Sequence, residues 1–278
     1  MPPLALALIL LSAVLHASWN LLIARARDTE ATTALAVPIG ALLVLPFTLP
    51  TWRVEAGVWP YLAATWVLET AYLALLAAAY RRADMSLVYP LARGLAPVIV
   101  LLVAALALGI PTTPLEALGV LGVGAGVLLV RGFGRGAAGS GDRAGTLLAL
   151  TVAATIAGYT LVDRQGLQFA SPTAYVVLAL AVPGLVYLAA ITRIKGRAAV
   201  RAELRPSTAF IGVAMFAGFG AALAALTIAP PASVAAGRES SVVIATVMAA
   251  VVLKERVGPR RLGGAVLVVI GVALLAVG

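Results

Sequence analysis

The chain is a succession of apolar segments, each close to a bilayer's thickness in helical length, separated by short polar stretches. A soluble monomer does not tolerate that much exposed apolar surface. A hydrocarbon core about 30 Å thick takes one helix of about 20 apolar residues per crossing. Cutting at charges, prolines and glycines gives ten segments: Leu4–Ala24, Thr32–Leu49, Val58–Tyr80, Ser86–Leu108, Pro114–Val130, Gly145–Asp163, Pro172–Thr192, Pro206–Ile228, Pro231–Leu253 and Arg261–Val277. The expectation is an all-α integral membrane protein with ten transmembrane helices. Charged residues make up only 11% of the chain, against about 25% in soluble domains. The first segment lacks the basic start of a secretory signal and exceeds its apolar core of about 7–15 residues, so it reads as a span.

The polar stretch Arg131–Ala144, rich in glycine and charge, divides the chain almost in half. It reads as a linker over residues 131–144, between a five-helix unit at 1–130 and a second at 145–278. A shift of 145 residues sets Arg93 on Arg238, Ile99 on Ile244, Pro114 on Pro259, Gly119 on Gly264 and Gly126 on Gly271. These ordered matches argue for duplication. Five spans per unit is an odd number, so the second unit enters the membrane from the opposite side, as in inverted-repeat transporters. The loop charges agree. Arg25, Arg27, Arg81, Arg82, Arg131, Arg135, Arg143, Arg193, Lys195, Arg197, Arg201, Arg205, Lys254, Arg256, Arg260 and Arg261 all fall after odd-numbered spans. Only Arg53 and Arg164 fall on the other side. Basic loops stay in the cytoplasm, so this count puts both termini outside it.

Ionisable residues at mid-bilayer cost about 2.5–3.5 kcal/mol each on insertion scales, and they mark pathways or mutual pairs. His16, Glu69, Arg93, Arg238 and Glu239 fall nearest the middle of their segments, with Asp163 nearer an end. Polar residues also recur at four-residue spacing, which places them on one helix face. Ser12, His16 and Asn20 form one such row; Thr65 and Glu69, continued by Tyr72, a second; Tyr89 and Arg93 a third; and Thr151, Thr155, Tyr159 and Asp163 a fourth. Four polar rows require something other than lipid to face, and a wet cavity between the units satisfies them. The candidate solute-binding set is His16, Asn20, Glu69, Tyr72, Tyr89, Arg93, Tyr159, Asp163, Arg238 and Glu239. Alternatively, the charged members are buried ion pairs that only fix packing. Gly122 and Gly126 form a close-packing face, within the molecule or between two copies.

Other chemistries find little support. The absence of cysteine excludes disulfides and thiolate metal sites, and a single histidine cannot build a multi-histidine centre, so no cofactor or metal is expected. The net charge of +9 is distributed between apolar segments rather than along one face, which argues against nucleic acid as a partner. Gly139-Ser140-Gly141 lacks the strand and lysine of a phosphate-binding loop.

His16-Ala-Ser-Trp-Asn20 resembles a signature in EamA-type members of the drug/metabolite transporter superfamily. Tyr89-Pro-Leu-Ala-Arg-Gly94 with Ala96-Pro97 is similar to their fourth helix, Tyr159-Thr-Leu-Val-Asp163 to their sixth, and Lys254-Glu255-Arg256 with Leu262-Gly263 to their last hairpin. The resemblance implies ten helices in two inverted repeats around a cavity lined by helices 1, 3, 4, 6, 8 and 9. It also implies a multi-pass protein of the bacterial plasma (inner) membrane. The expected function is non-ATP-driven transport of a small polar or amphipathic metabolite by alternating access, with the solute and membrane lipid as partners and a monomer as the unit. The family's usual arrangement has both termini in the cytoplasm, opposite to the charge count. Two alternatives remain: a lipid or polyprenyl-phosphate flippase, and an intramembrane enzyme with Ser12, Ser240 or Ser241 beside His16.

Overall fold

A computed structural model of the protein describes residues 1–80, 82, 85–131, 143–252 and 258–278. Residues 132–142 of the expected linker, with Gly139-Ser140-Gly141, and Lys254-Glu255-Arg256 lie outside the described residues, while Arg131 ends α5 and Arg143 and Ala144 open α6. The described chain is helical and contains no sheet. Its helices are α1 (Pro3–Ala24), α2 (Thr29–Thr48), α3 (Trp59–Tyr80), α4 (Met85–Leu106), α5 (Pro114–Arg131), α6 (Arg143–Gly166), α7 (Pro172–Lys195), α8 (Arg197–Ala202), α9 (Pro206–Ile228), α10 (Pro231–Arg238), α11 (Ser240–Val252) and α12 (Pro259–Val277). Among the described residues, α1, α2, α6, α7, α9 and α12 are each long and apolar enough to cross a membrane, and Leu91–Leu106 and Pro114–Val130 are shorter apolar helices.

Two departures from the sequence expectation follow from local chemistry. The basic stretch Arg193–Arg205, read as a loop, instead extends α7 to Lys195. Gly196 then turns the chain at φ +85°, and α8 follows. Val200 of α8 is buried with Ala31, Ala34 and Ile191, so one apolar side chain docks an otherwise basic turn. The ninth segment, read as one helix, is interrupted at Glu239. There the amide of Glu239 reaches back three residues to Ala236, and the amide of Val242 reaches back three to Glu239. Elsewhere the starts follow ordinary rules. Proline sits in the first turn of α1, α7, α9, α10 and α12, where its missing amide would have had no partner. Asp28 caps α2 by accepting from the amides of Glu30 and Ala31 at 3.1 and 3.0 Å.

The ends of the bundle are held differently. At the basic end, Lys195 of α7 donates to Asp28 at 2.7 Å and lies 2.6 Å from Glu30. The Ala31 amide, followed by Lys195, holds the Asp28 carboxyl below its ordinary pKa. The contribution of this cap is in place at neutral pH and is lost as the pH falls through that depressed value. At the opposite end, the segments before α3 and α7 form a clasp. Val54 and Ala170 make an antiparallel bridge. The Glu55 amide donates to the Phe169 carbonyl at 2.8 Å, and the Ser171 amide to the Arg53 carbonyl at 2.9 Å.

Helices α5 and α12 meet through glycines. A Cβ on Gly119 would lie 2.9 Å from the Gly271 carbonyl oxygen, and one on Gly126 would lie 2.8 Å from that of Gly264. Only hydrogen at these positions allows the two backbones so close together. The Gly122/Gly126 face is therefore covered inside the molecule. Gly264→Ala, whose methyl would meet the Gly126 carbonyl at 2.6 Å, is expected to lower thermal stability in detergent by about 1–3 kcal/mol. Gly263→Ala, with nothing within 4 Å of its added carbon, is expected to stay within about 0.5 kcal/mol of the parent.

Candidate functional site

A cavity of about 360 Å³ lies inside the bundle, within the range of about 300–1,000 Å³ typical of small-molecule sites. Its polar part brings together His16 of α1, Glu69 and Tyr72 of α3, Arg93 of α4, Tyr159 of α6 and Arg238 of α10. Its apolar part is made by Trp19 and Ile23 of α1, Val37 of α2, Leu180 and Pro183 of α7, and Met215 and Phe219 of α9. His16, Glu69, Tyr72 and Arg93 sit near the middle of their helices, and Arg238 ends α10. The lining continues through Thr33, Ile23 and Tyr187 toward the basic end of the bundle.

The two arginines are used differently. Arg93 makes a two-point contact with Glu239 across the bundle: Nη2 lies 2.9 Å from Oε1, and Nε donates to Oε2 at 3.2 Å. Glu239 is only 4% exposed, so this pair neutralises a carboxylate removed from water. The Arg238 guanidinium lies over the Phe219 ring at 5.7 Å. Among the described residues it makes no hydrogen bond or close ion pair, and neither does Glu69. The cavity thus presents one guanidinium and one carboxylate whose hydrogen-bonding capacity is unused. His16 packs edge-on against Trp19 at 4.8 Å, and Tyr72 edge-on against Tyr159 at 6.5 Å.

Residues 143–277 match the EamA-like transporter family. No curated protein matches. A solved crystal structure aligns over 99% of this chain and 96% of its own, with a TM-score of 0.73 and 17% identity. At that identity the likeness shows a shared fold. The match and the long apolar helices fit a multi-pass membrane protein, and the family matched by residues 143–277 is one of transporters, not of enzymes. Nor does any hydrogen bond among the described residues join Ser12, Ser240 or Ser241 to His16; the Ser12 and Ser240 hydroxyls are buried without a partner.

Six of the ten candidate residues, His16, Glu69, Tyr72, Arg93, Tyr159 and Arg238, line the cavity. Three do not. Asn20 is exposed, and its amide donates back to the His16 carbonyl at 2.7 Å, which satisfies it within its own helix. Glu239 is held by Arg93. Asp163 is 1% exposed; its Oδ1 accepts from Thr65 at 2.6 Å and from Tyr175 at 2.9 Å. The side chain of the tenth, Tyr89, lies outside the described residues. The polar row of α6 also breaks up. Thr151 is exposed, and Thr151 and Thr155 return their hydroxyls to the Leu147 and Val152 carbonyls. Sequence reasoning missed the contribution of α2 and α7. Their lining residues are mostly apolar and carry no mark that separates them from lipid-facing ones, although Pro183 inside α7 was a local signal of an irregular helix.

The pairing predicts unequal costs. Arg93→Ala strands Glu239 without its partner and is expected to destabilise the chain by about 3–5 kcal/mol. Arg238→Ala removes a guanidinium with no bonded partner and is expected to cost less than about 1 kcal/mol. Thermal unfolding of the two variants in detergent checks the order.

Proposed function

We propose that the chain is a secondary transporter of a small amphipathic solute bearing an anionic group, which binds in the mid-depth cavity. The observation that carries this reading is the pair of unused groups there. Arg238 meets the anion, Glu69 meets a cationic or hydrogen-bond-donating group, and Trp19, Leu180, Met215 and Phe219 receive the apolar part. Guanidinium hydrogen bonds to a carboxylate are strong and directional, and a desolvated cavity strengthens them further. His16, Tyr72 and Tyr159 supply additional polar contacts. Arg93 and Glu239 hold α4 against the break between α10 and α11 and set the shape of the site rather than touching solute.

The chain is proposed to be ten spans in two inverted repeats, residues 1–130 and 145–278, with α10 and α11 together forming the ninth span. The α5–α12 seam supports this. Gly119 pairs with Gly271, the counterpart of Gly126, and Gly126 pairs with Gly264, the counterpart of Gly119. Such reciprocal pairing is what a two-fold relation between duplicated units produces. With the basic end in the cytoplasm of a bacterial inner membrane, the cavity extends toward the cytoplasm while the clasp closes the other side. Rocking of one unit against the other would exchange these two conditions.

A thermal-shift screen of the purified chain against small amphipathic carboxylates identifies a ligand, and variants then test the site. Arg238→Ala is expected to weaken binding at least about tenfold, the scale of a lost charged partner, and Glu69→Gln to weaken it for ligands that carry an amine. Asn20→Ala should leave affinity unchanged. Undiminished binding by Arg238→Ala would move the solute elsewhere.

A further inference from the structure

Five charged side chains, Glu69, Arg93, Asp163, Arg238 and Glu239, are buried at or beside the cavity, and four of them have a counterpart of opposite charge. Arg93 pairs with Glu239. Arg238 and Glu69 share the cavity, where they attract one another. Asp163 is left over. It is 1% exposed, does not line the cavity, and has no cation within ion-pair distance among the described residues. The groups that face it do not supply one. On α3, Thr65 is a neutral hydroxyl and Glu69 carries like charge. On α7, Tyr175 is a second neutral hydroxyl. On its own helix, Tyr159 lines the cavity, and Arg164 gives its guanidinium to the Leu226 and Ala229 carbonyls at 2.9 and 2.7 Å. Arg238 of α10 attracts it only from a distance. Arg93 of α4 is committed to Glu239, and α9 carries no ionisable residue.

Both hydrogen bonds to Asp163 arrive at the same oxygen. Thr65 and Tyr175 donate to Oδ1, and their own oxygens lie 3.1 Å apart. Among the described residues, Oδ2 accepts nothing. A carboxylate buried in a bilayer without a cation needs its charge removed, and a proton on Oδ2 removes it without disturbing either bond to Oδ1.

We propose that Asp163, held by Thr65 and Tyr175, is a proton-binding site separate from the solute cavity, and that it couples proton movement to transport. The coupling half rests on the transport reading above; the proton site does not. The only covalent change is at one O–H bond: Asp163 carboxylic acid gives carboxylate plus a proton, which passes to water. The placement suits the role. Thr65 is one turn along α3 from Glu69, and Asp163 is one turn along α6 from Tyr159, so the site adjoins the cavity on the side away from the basic end. Thr65 and Tyr175 belong to α3 and α7, the two helices that emerge from the clasp. Deprotonation puts a negative charge between them, and water entering through a parted clasp solvates it. Protonation lets the two helices close over a neutral group.

Infrared pH-difference spectroscopy on the full chain in lipid nanodiscs tests the proton site without any solute. A carbonyl band of a protonated carboxylic acid is expected that titrates away as the pH rises. Asp163→Asn should remove one component of that band, Glu69→Gln should leave that component in place, and Tyr175→Phe, which loses one donor, should shift it. A band left whole in Asp163→Asn overturns the site. So does a band that responds to sodium at fixed pH, which would make this a metal-cation site. If Asp163→Asn fails to fold, an unshifted band in Tyr175→Phe overturns it equally. The coupling half is read from spin labels at Glu55→Cys and Gln168→Cys, which the cysteine-free background makes site-specific. Their separation should lengthen as the pH rises, and Asp163→Asn should abolish the response. A separation that does not change with pH overturns the coupling and leaves the proton site standing.

Discussion

The chemistry of the cavity depends on where the Arg93 guanidinium goes. It reaches across from α4 to a buried carboxylate at the interruption between α10 and α11, and it binds both oxygens. A single-point contact would leave one carboxylate oxygen unpaired in a low-dielectric interior, where an unmet charge is costly. Glu239 receives both contacts from Arg93, whereas Arg238, one residue earlier, makes no hydrogen bond among the described residues. Arg238 remains on the cavity wall, stacked on Phe219, with its donors unspent. One arginine is thus bound to a carboxylate and the other is left facing the cavity.

The pair also explains why the helix is interrupted there. At Glu239 the chain passes through two successive three-residue amide contacts instead of the regular four-residue ladder. Backbone irregularity at membrane depth is tolerated where it is buried in protein or lines a cavity, and Glu239 is buried while its neighbour lines the cavity. The rest of the bundle is conventional by comparison. Glycines bring α5 onto α12, and Gly40 meets the Gly212 backbone where α2 crosses α9. These seams are made of backbone and small side chains, so they give the polar residues fixed walls to be aimed from.

What could be read from the sequence was what is decided locally. Apolar length and proline position locate the helices within a few residues because both act within one segment. The cost of charge at mid-depth singled out His16, Glu69, Arg93, Arg238 and Glu239, of which all but Glu239 line the cavity. What could not be read was partner choice. Asn20 and Thr151 sit at the right spacing for a polar face, yet each satisfies itself on its own helix, and spacing alone does not distinguish a back-bonded side chain from a ligand. The antiparallel bridge between Val54 and Ala170 joins residues more than a hundred positions apart, in segments with no strand pattern. The apolar wall from α2 and α7 was invisible for a different reason: in a membrane protein, apolar residues face lipid, protein and cavity alike.

Under the proposed duplication, Arg93 and Arg238 are counterparts that meet different groups. At the shift that sets Arg93 on Arg238, Glu239 corresponds to Gly94. Gly94 cannot be replaced by a glutamate without cost, because a Cβ there would lie 3.0 Å from the Gly124 carbonyl oxygen, at the point where α4 packs on α5. The counterpart of Gly124 is Val269, which is 55% exposed on α12, so α11 and α12 are not drawn together at that point in the same way. In one unit the position after the arginine is consumed by close helix packing. At position 239 the chain carries a carboxylate, and Arg93 of α4 meets it. Glu239 neutralises Arg93, and the Arg238 guanidinium stays on the cavity wall over Phe219.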